Sequence, residues 1–91
     1  GGGAGGPSGS IAVTERSSLA LWIPESAYHD GKVWVYEPES NRLSLRTVET
    51  NQQKREHYLN ISAGLRPGEQ VVTTSGNWRE GQRVHIRSHQ P

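Results

Sequence analysis

The chain has 91 residues, 31% of them hydrophobic, with no Cys, Met or Phe, which limits it to one small domain with a core of Val, Leu, Ile, three Trp and three Tyr. Formal net charge is +1 with acidic and basic residues interspersed, so there is no electrostatic footprint for nucleic acid and none is expected as a partner. The missing cysteines exclude a disulfide framework and a thiolate metal site, and no apolar run approaches the roughly 18 residues of a spanning helix.

In chain order, residues 1–10, "GGGAGGPSGS", are low in complexity and carry too little apolar surface to offset their ordering entropy. They read as a disordered linker or the remnant of a tag, with the folded domain at 11–91. No charged segment followed by an apolar one marks a secretory leader within the chain. Residues 11–15, "IAVTE", alternate as a strand. Residues 19–23, "LALWI", put Leu19, Leu21 and Ile23 on one face of a second. "PESAY" at 24–28 suits one helical turn, because Pro at the first helical position gives up an N–H that would be unpaired anyway. "HDG" at 29–31 reads as a turn.

The strongest β signal is "KVWVYE" at 32–37, with Val33 and Val35 on one face and Trp34 and Tyr36 on the other. Two apolar faces predict a strand covered on both sides. "PESNR" at 38–42 turns the chain into "LSLRTVE" at 43–49, completing a hairpin. "TNQQKRE" at 50–56 is polar throughout and reads as a loop. "HYLNIS" at 57–62 sets Leu59 and Ile61 on one face. "QVVTT" at 70–74 and "RVHIR" at 83–87 follow as strands, the last with Val84 and Ile86 inward. These runs predict an all-β domain, a small antiparallel β-roll or barrel of about six or seven short strands with at most one short helical turn.

Between the last strands lies "ISAGLRPGEQVV" at 61–72. Arg66-Pro67-Gly68-Glu69 fits a type II turn, Gly64 adds a second bend, and Leu65 between them is an apolar plug. A phosphate-cradling loop would need a helix after the glycines and a Lys nearby. A strand follows instead, so Gly64, Pro67 and Gly68 read as structural turn residues. The four histidines, His29, His57, His85 and His89, are scattered. His85 and His89 have ligand spacing only on a helix, and in a strand they stand about 13 Å apart. Ser26 sits in no nucleophile elbow, and the acidic residues form no paired frame. No catalytic, cofactor or metal site is expected. "NIS" at 60–62 matches a glycosylation acceptor only as a short, common pattern within a predicted strand. Trp78, in "SGNWREG", reads either as an exposed contact anchor or as a lid over one end of a barrel.

Taken together, "LALWIPESAYHDGKVWVYEPESNRLSLRTVE" and "LNISAGLRPGEQVVTTSGNWREGQRVHI" resemble the C-terminal, membrane-proximal part of bacterial periplasmic adaptors. These are the membrane fusion proteins of resistance-nodulation-division efflux pumps, related to the HlyD family. "WIPESAY" resembles the segment leaving the family's β-barrel domain, "GKVWVYEPESNRLSLRTVE" the hairpin that follows, "ISAGLRPGEQVVTTSG" the tail signature and "REGQRVHI" the closing strand. Each is a turn-and-strand pattern; their order and spacing, from 11 to about 87, carry the specificity. Trp78 departs from the pattern, since relatives often carry an aliphatic residue there. The helical hairpin, lipoyl-like domain and most of the barrel of such adaptors are not in this sequence. In relatives an N-terminal strand completes the membrane-proximal sheet, so one unpaired edge is expected here.

The resemblance implies a non-catalytic domain without cofactors, located in the periplasm and associated with the inner membrane. Its implied partners are an inner-membrane efflux transporter, neighbouring adaptor subunits in a homo-oligomer, and an outer-membrane channel reached through the full-length adaptor. Trp78, Arg79, Arg66 and Glu69, all at predicted turns, are the candidate partner contacts; the plainer reading makes them solvated turn residues. The alternative function is an autonomous small β ligand-binding module for sugar or metal, using Trp and His. A hydrolase fragment is a more distant third.

Overall fold

A strand with apolar side chains on both faces must sit between two layers, and that requirement organises this fold. The computed structural model describes residues 11–88. The expected linker at 1–10 and His89 lie outside them. In chain order the elements are β1 (Ile11–Arg16), β2 (Trp22–Pro24), a 3-10 turn (Glu25–Ala27), β3 (Lys32–Glu37), β4 (Arg42–Thr47), β5 (Glu49–Arg55), β6 (Tyr58–Ala63), β7 (Gln70–Val72) and β8 (His85–Ser88). The domain is all-β. Five strands form one sheet in the order β4-β3-β7-β1-β8, and three form a second in the order β2-β6-β5. Paired neighbours are antiparallel except β1 and β8, which run parallel.

β3 is covered on both faces, as its sequence requires. Val33 and Val35, with Val71 of β7, join Ile23, Ala27, Val48, Ile61 and Leu65 in a core between the sheets. On the opposite face Trp34 and Tyr36 pack against a second core of Ala12, Leu43, Val72 and Val84. β7 is divided in the same way, Val71 to one core and Val72 to the other. Each fully buried aliphatic side chain contributes about 1.5–3 kcal/mol.

The second core is enclosed because one segment bonds both borders of the five-stranded sheet. Gly81 N–H donates to the Leu43 carbonyl at 2.7 Å, Leu43 N–H donates to the Gln82 carbonyl at 2.9 Å, and Val84 N–H donates to the Asn41 carbonyl at 3.0 Å. The same segment then continues as β8 along β1, Ala12 opposite Ile86. The sheet thereby rolls into a small barrel, which removes the outer edge of β4 as a free template.

Two local readings change. Residues 50–56 are not a loop, since β5 pairs with β6 along a register broken between Glu49 and Lys54. Its side chains are mostly exposed, so no apolar periodicity marks it, and pairing alone makes it a strand. Nor does the face of Leu19, Leu21 and Ile23 form: Leu19 is 91% exposed, Leu21 has φ 64°, and only Ile23 enters the core fully. Leu45 remains 40% exposed although Leu43, two residues earlier, is buried. The helical turn and the Asp30-Gly31 turn stand as expected, the latter with φ 52° and 84° and closed by reciprocal His29–Lys32 backbone bonds. β5 ends the second sheet, and Lys54, Arg55 and its irregular register blunt that edge.

Four links carry the chain between the sheets, and each touches another. Val48 N–H, between β4 and β5, donates to the Gly31 carbonyl of the β2–β3 link at 2.9 Å. Gly64, opening the β6–β7 link, lies against Thr47 and Val48 so closely that a Cβ there would stand 2.4 Å from the Thr47 carbonyl oxygen. Its φ of +95° disfavours any side chain as well. Gly68 has φ +88° but open space around it. Gly64→Ala is therefore expected to lower stability by about 1–3 kcal/mol or more, and Gly68→Ala by only about 1 kcal/mol, in urea unfolding. Equal losses would show that the close approach at Gly64 carries no weight.

Candidate functional site

Of the four candidate contacts, Arg66 and Glu69 line one depression and Arg79 another that shares no residue with it, while Trp78 is among the lining residues of neither. Arg66 and Glu69 belong to the β6–β7 link. Glu69 N–H donates to the Arg66 carbonyl at 3.2 Å, and Gly68 supplies the positive φ, so the four residues make the expected type II turn. Leu65 is 7% exposed and enters the core between the sheets as the expected plug.

This turn is fastened from three sides. Ser17, just after β1 and only 4% exposed, donates its N–H to the Glu69 carbonyl at 2.9 Å and its hydroxyl to the Arg66 carbonyl at 2.8 Å. Its own carbonyl accepts from Gly68 N–H at 2.9 Å. Arg46, on β4, donates Nη1 and Nη2 to the two Glu69 carboxylate oxygens, both at 3.0 Å, and reaches the Gly64 carbonyl at 3.2 Å. Arg16 Nη1 donates to the Gly68 carbonyl at 3.2 Å. The Glu69 carboxylate also accepts the Arg66 N–H at 2.9 Å.

Glu69 is thus turned inward and fully engaged, while the Arg66 side chain is exposed. Burial pulls the Glu69 carboxyl upward, but the Arg46 hydrogen bonds, the Arg66 N–H and the two arginine charges outweigh it and hold the group below its ordinary value. Ser17 and Arg46 were not singled out from the sequence. A serine after a strand and an arginine in a hairpin carry no local signal of a partner some fifty or twenty residues away.

Trp78 lies half-buried on the second core, with Nε1 donating to the Thr74 carbonyl at 3.1 Å. Gly76 makes room for it, since a Cβ there would stand 2.7 Å from the indole ring. Trp78 thus covers part of the second core and keeps part of its own surface exposed. Arg79 is exposed beside it, with its N–H donating to Gln82 Oε1 at 2.9 Å. Trp22 lies under the guanidinium of Arg55 at 5.0 Å from the ring centroid, a cation–π stack that reaches across β6 between the two outer strands of the second sheet. Tyr58 donates its hydroxyl to Glu15 at 2.7 Å, tying β6 to β1.

His29, His57 and His85 are exposed, and His57 lies 3.5 Å from Glu25. Among the described residues no group of three His, Cys, Asp or Glu is placed to hold a metal ion. Ser26 is exposed in the 3-10 turn, and Asn60 donates its side-chain amide to the Ala20 carbonyl at 2.7 Å. Compared with family models, curated proteins and solved structures, the chain matches none of them.

The Glu69 environment sets a pH dependence. A carboxyl held below its ordinary value of 4.5 stabilises the fold above that value, and the contribution is lost as pH falls through the lower folded value. Glu69→Gln is expected to cost roughly 1–2 kcal/mol at pH 7 in chemical unfolding, a figure moderated by partial solvent exposure. The gap between the two proteins should narrow as pH falls below about 4.5. A gap that stays constant down to pH 3 would contradict the role given to this carboxylate.

Proposed function

We propose that this chain is a non-catalytic, membrane-proximal domain of a periplasmic adaptor of the HlyD-like class. It docks on an inner-membrane efflux transporter, packs beside neighbouring adaptor subunits and helps couple the transporter to an outer-membrane channel. The observation that carries the reading is where the four family-like segments fall. "WIPESAY" is the strand and 3-10 turn that lead from the second sheet into β3. The hairpin segment is β3 and β4, the tail signature is the link from β6 to β7, and "REGQRVHI" is the segment that closes the barrel. Each resemblance therefore stands at a junction on which the fold depends, and none stands at a reactive cluster.

Docking of this kind needs a rigid body with exposed contacts. The tied links supply rigidity. Arg66 and Arg79 project outward from fastened turns, so they are the contacts this reading retains first. Glu69 serves by holding the Arg66 turn in place, and Trp78 by holding the segment that carries Arg79.

The test places a photo-activated cross-linking residue at Arg66 and, separately, at Arg79, in the protein expressed in its own host. A covalent product with an inner-membrane transport protein is expected at one or both positions. Arg66→Glu and Arg79→Glu together should lower export several-fold with the unfolding midpoint unchanged. Cross-links to soluble cytoplasmic proteins alone, or undiminished export after deletion of the gene, would sink the proposal.

A further inference from the structure

The segment that closes the barrel gathers arginines, with Glu37 of β3 opposite Arg42 and Glu80 among the residues around them as the carboxylates. An antiparallel bridge sets Arg42 of β4 directly opposite Arg83. Like charges facing each other across paired strands are destabilising, so the arrangement departs from what stability alone would select. Arg79 lines the same open depression, of about 500 Å³, together with Asn77, Glu80 and Gly81.

The walls of this depression are held in place. Arg42 Nη1 donates to the Gly81 carbonyl at 2.8 Å, and the 79–82 turn is closed by Gln82 N–H on the Arg79 carbonyl at 3.0 Å and by Arg79 N–H on Gln82 Oε1. Glu80, the carboxylate among the lining residues, has Oε1 occupied by the Leu45 N–H at 2.8 Å. Among the described residues none of the three arginines takes part in an ion pair.

We infer that this depression binds a phosphate group. Three arginines line one concave volume, and guanidinium groups suit a compact oxyanion with several acceptor oxygens, because a planar fork can donate in pairs. An extended acidic peptide fits less well. It would add along a free sheet edge, and the β4 edge at Leu43 is already bonded to Gly81 and Gln82. The phosphate can be soluble or borne by a lipid headgroup; the chemistry at the arginines is the same. The inference shares Arg79 with the adaptor proposal but no residue of the Arg66 turn, and its test needs no transporter, so either can fail without the other.

Titration of inorganic phosphate into the whole chain, followed through arginine Nε–H and backbone amide NMR signals, should shift Arg42, Arg79, Arg83 and Gly81 while Arg55 stays fixed. Arg83→Gln relieves the like-charge pairing and should leave the fold intact while weakening phosphate binding roughly tenfold or more. Arg42→Gln should weaken it similarly, and Lys32→Gln, which removes an equal charge elsewhere, should change little. Sedimentation with vesicles of equal phosphatidylglycerol and phosphatidylcholine, against phosphatidylcholine alone, separates the sources. Vesicle binding lost in Arg83→Gln makes the phosphate lipid-borne, and phosphate shifts without vesicle binding make it soluble; both uphold the inference. Absent arginine shifts, equal weakening by Lys32→Gln and Arg83→Gln, or a response to hexaglutamate but not to phosphate, overturns it.

Discussion

Among the described residues the chain crosses between the two sheets four times, and those crossings are fastened to one another rather than left as independent loops. Gly31 receives the Val48 N–H, Val48 lies against Gly64, and the turn that Gly64 opens is bonded to Ser17. Val48 and Leu65, within these links, are buried in the core between the sheets. The links therefore do part of the packing as well as the connecting. A domain of this size has little apolar surface to spare, so using loop residues as core residues raises the fraction of the chain that contributes to stability.

Fastening the links also fixes how the two sheets face each other. β3 and β7 serve both cores, and a shift of either by one residue would turn Val33, Val35 and Val71 away from the second sheet and expose Trp34, Tyr36 and Val72 to it. The Arg46–Glu69 pair and the Ser17 bonds hold β7 in register through the turn that precedes it. Polar bonds here act chiefly on specificity of arrangement, and the aliphatic side chains supply most of the free energy.

Much of this was legible in the sequence. The two apolar faces of residues 32–37 predicted a strand between two layers. Pro67 and Gly68 predicted the turn type, Leu65 the plug, and Asp30-Gly31 the turn before β3. What escaped was whatever depends on pairing rather than on periodicity. β5 has no apolar stripe, and it becomes a strand only because β6 lies beside it. Leu19 looked like a core residue because its run alternates, yet it stands in the turn between β1 and β2, closed by Leu21 N–H on the Ser18 carbonyl, and is exposed. At the candidate site, the turn was readable and its fasteners were not. Arg46 and Ser17 act through contacts distant in sequence, and Glu69, read as an outward contact, is drawn inward by Arg46. For Trp78 the sequence showed neither the close approach of Gly76 nor the bond to the Thr74 carbonyl, which fix how the indole packs on the second core.

The central claim is that the 64–69 link is scaffold, inseparable from the two cores, and not a loop that opens independently to meet a ligand. Native-state hydrogen exchange tests it directly. The amides of Ser17 and Gly68, bonded across the link, should exchange only through the global unfolding that also exposes Val35. Exchange at those amides as fast as along the exposed β5 strand, with Val35 still protected, would contradict the account.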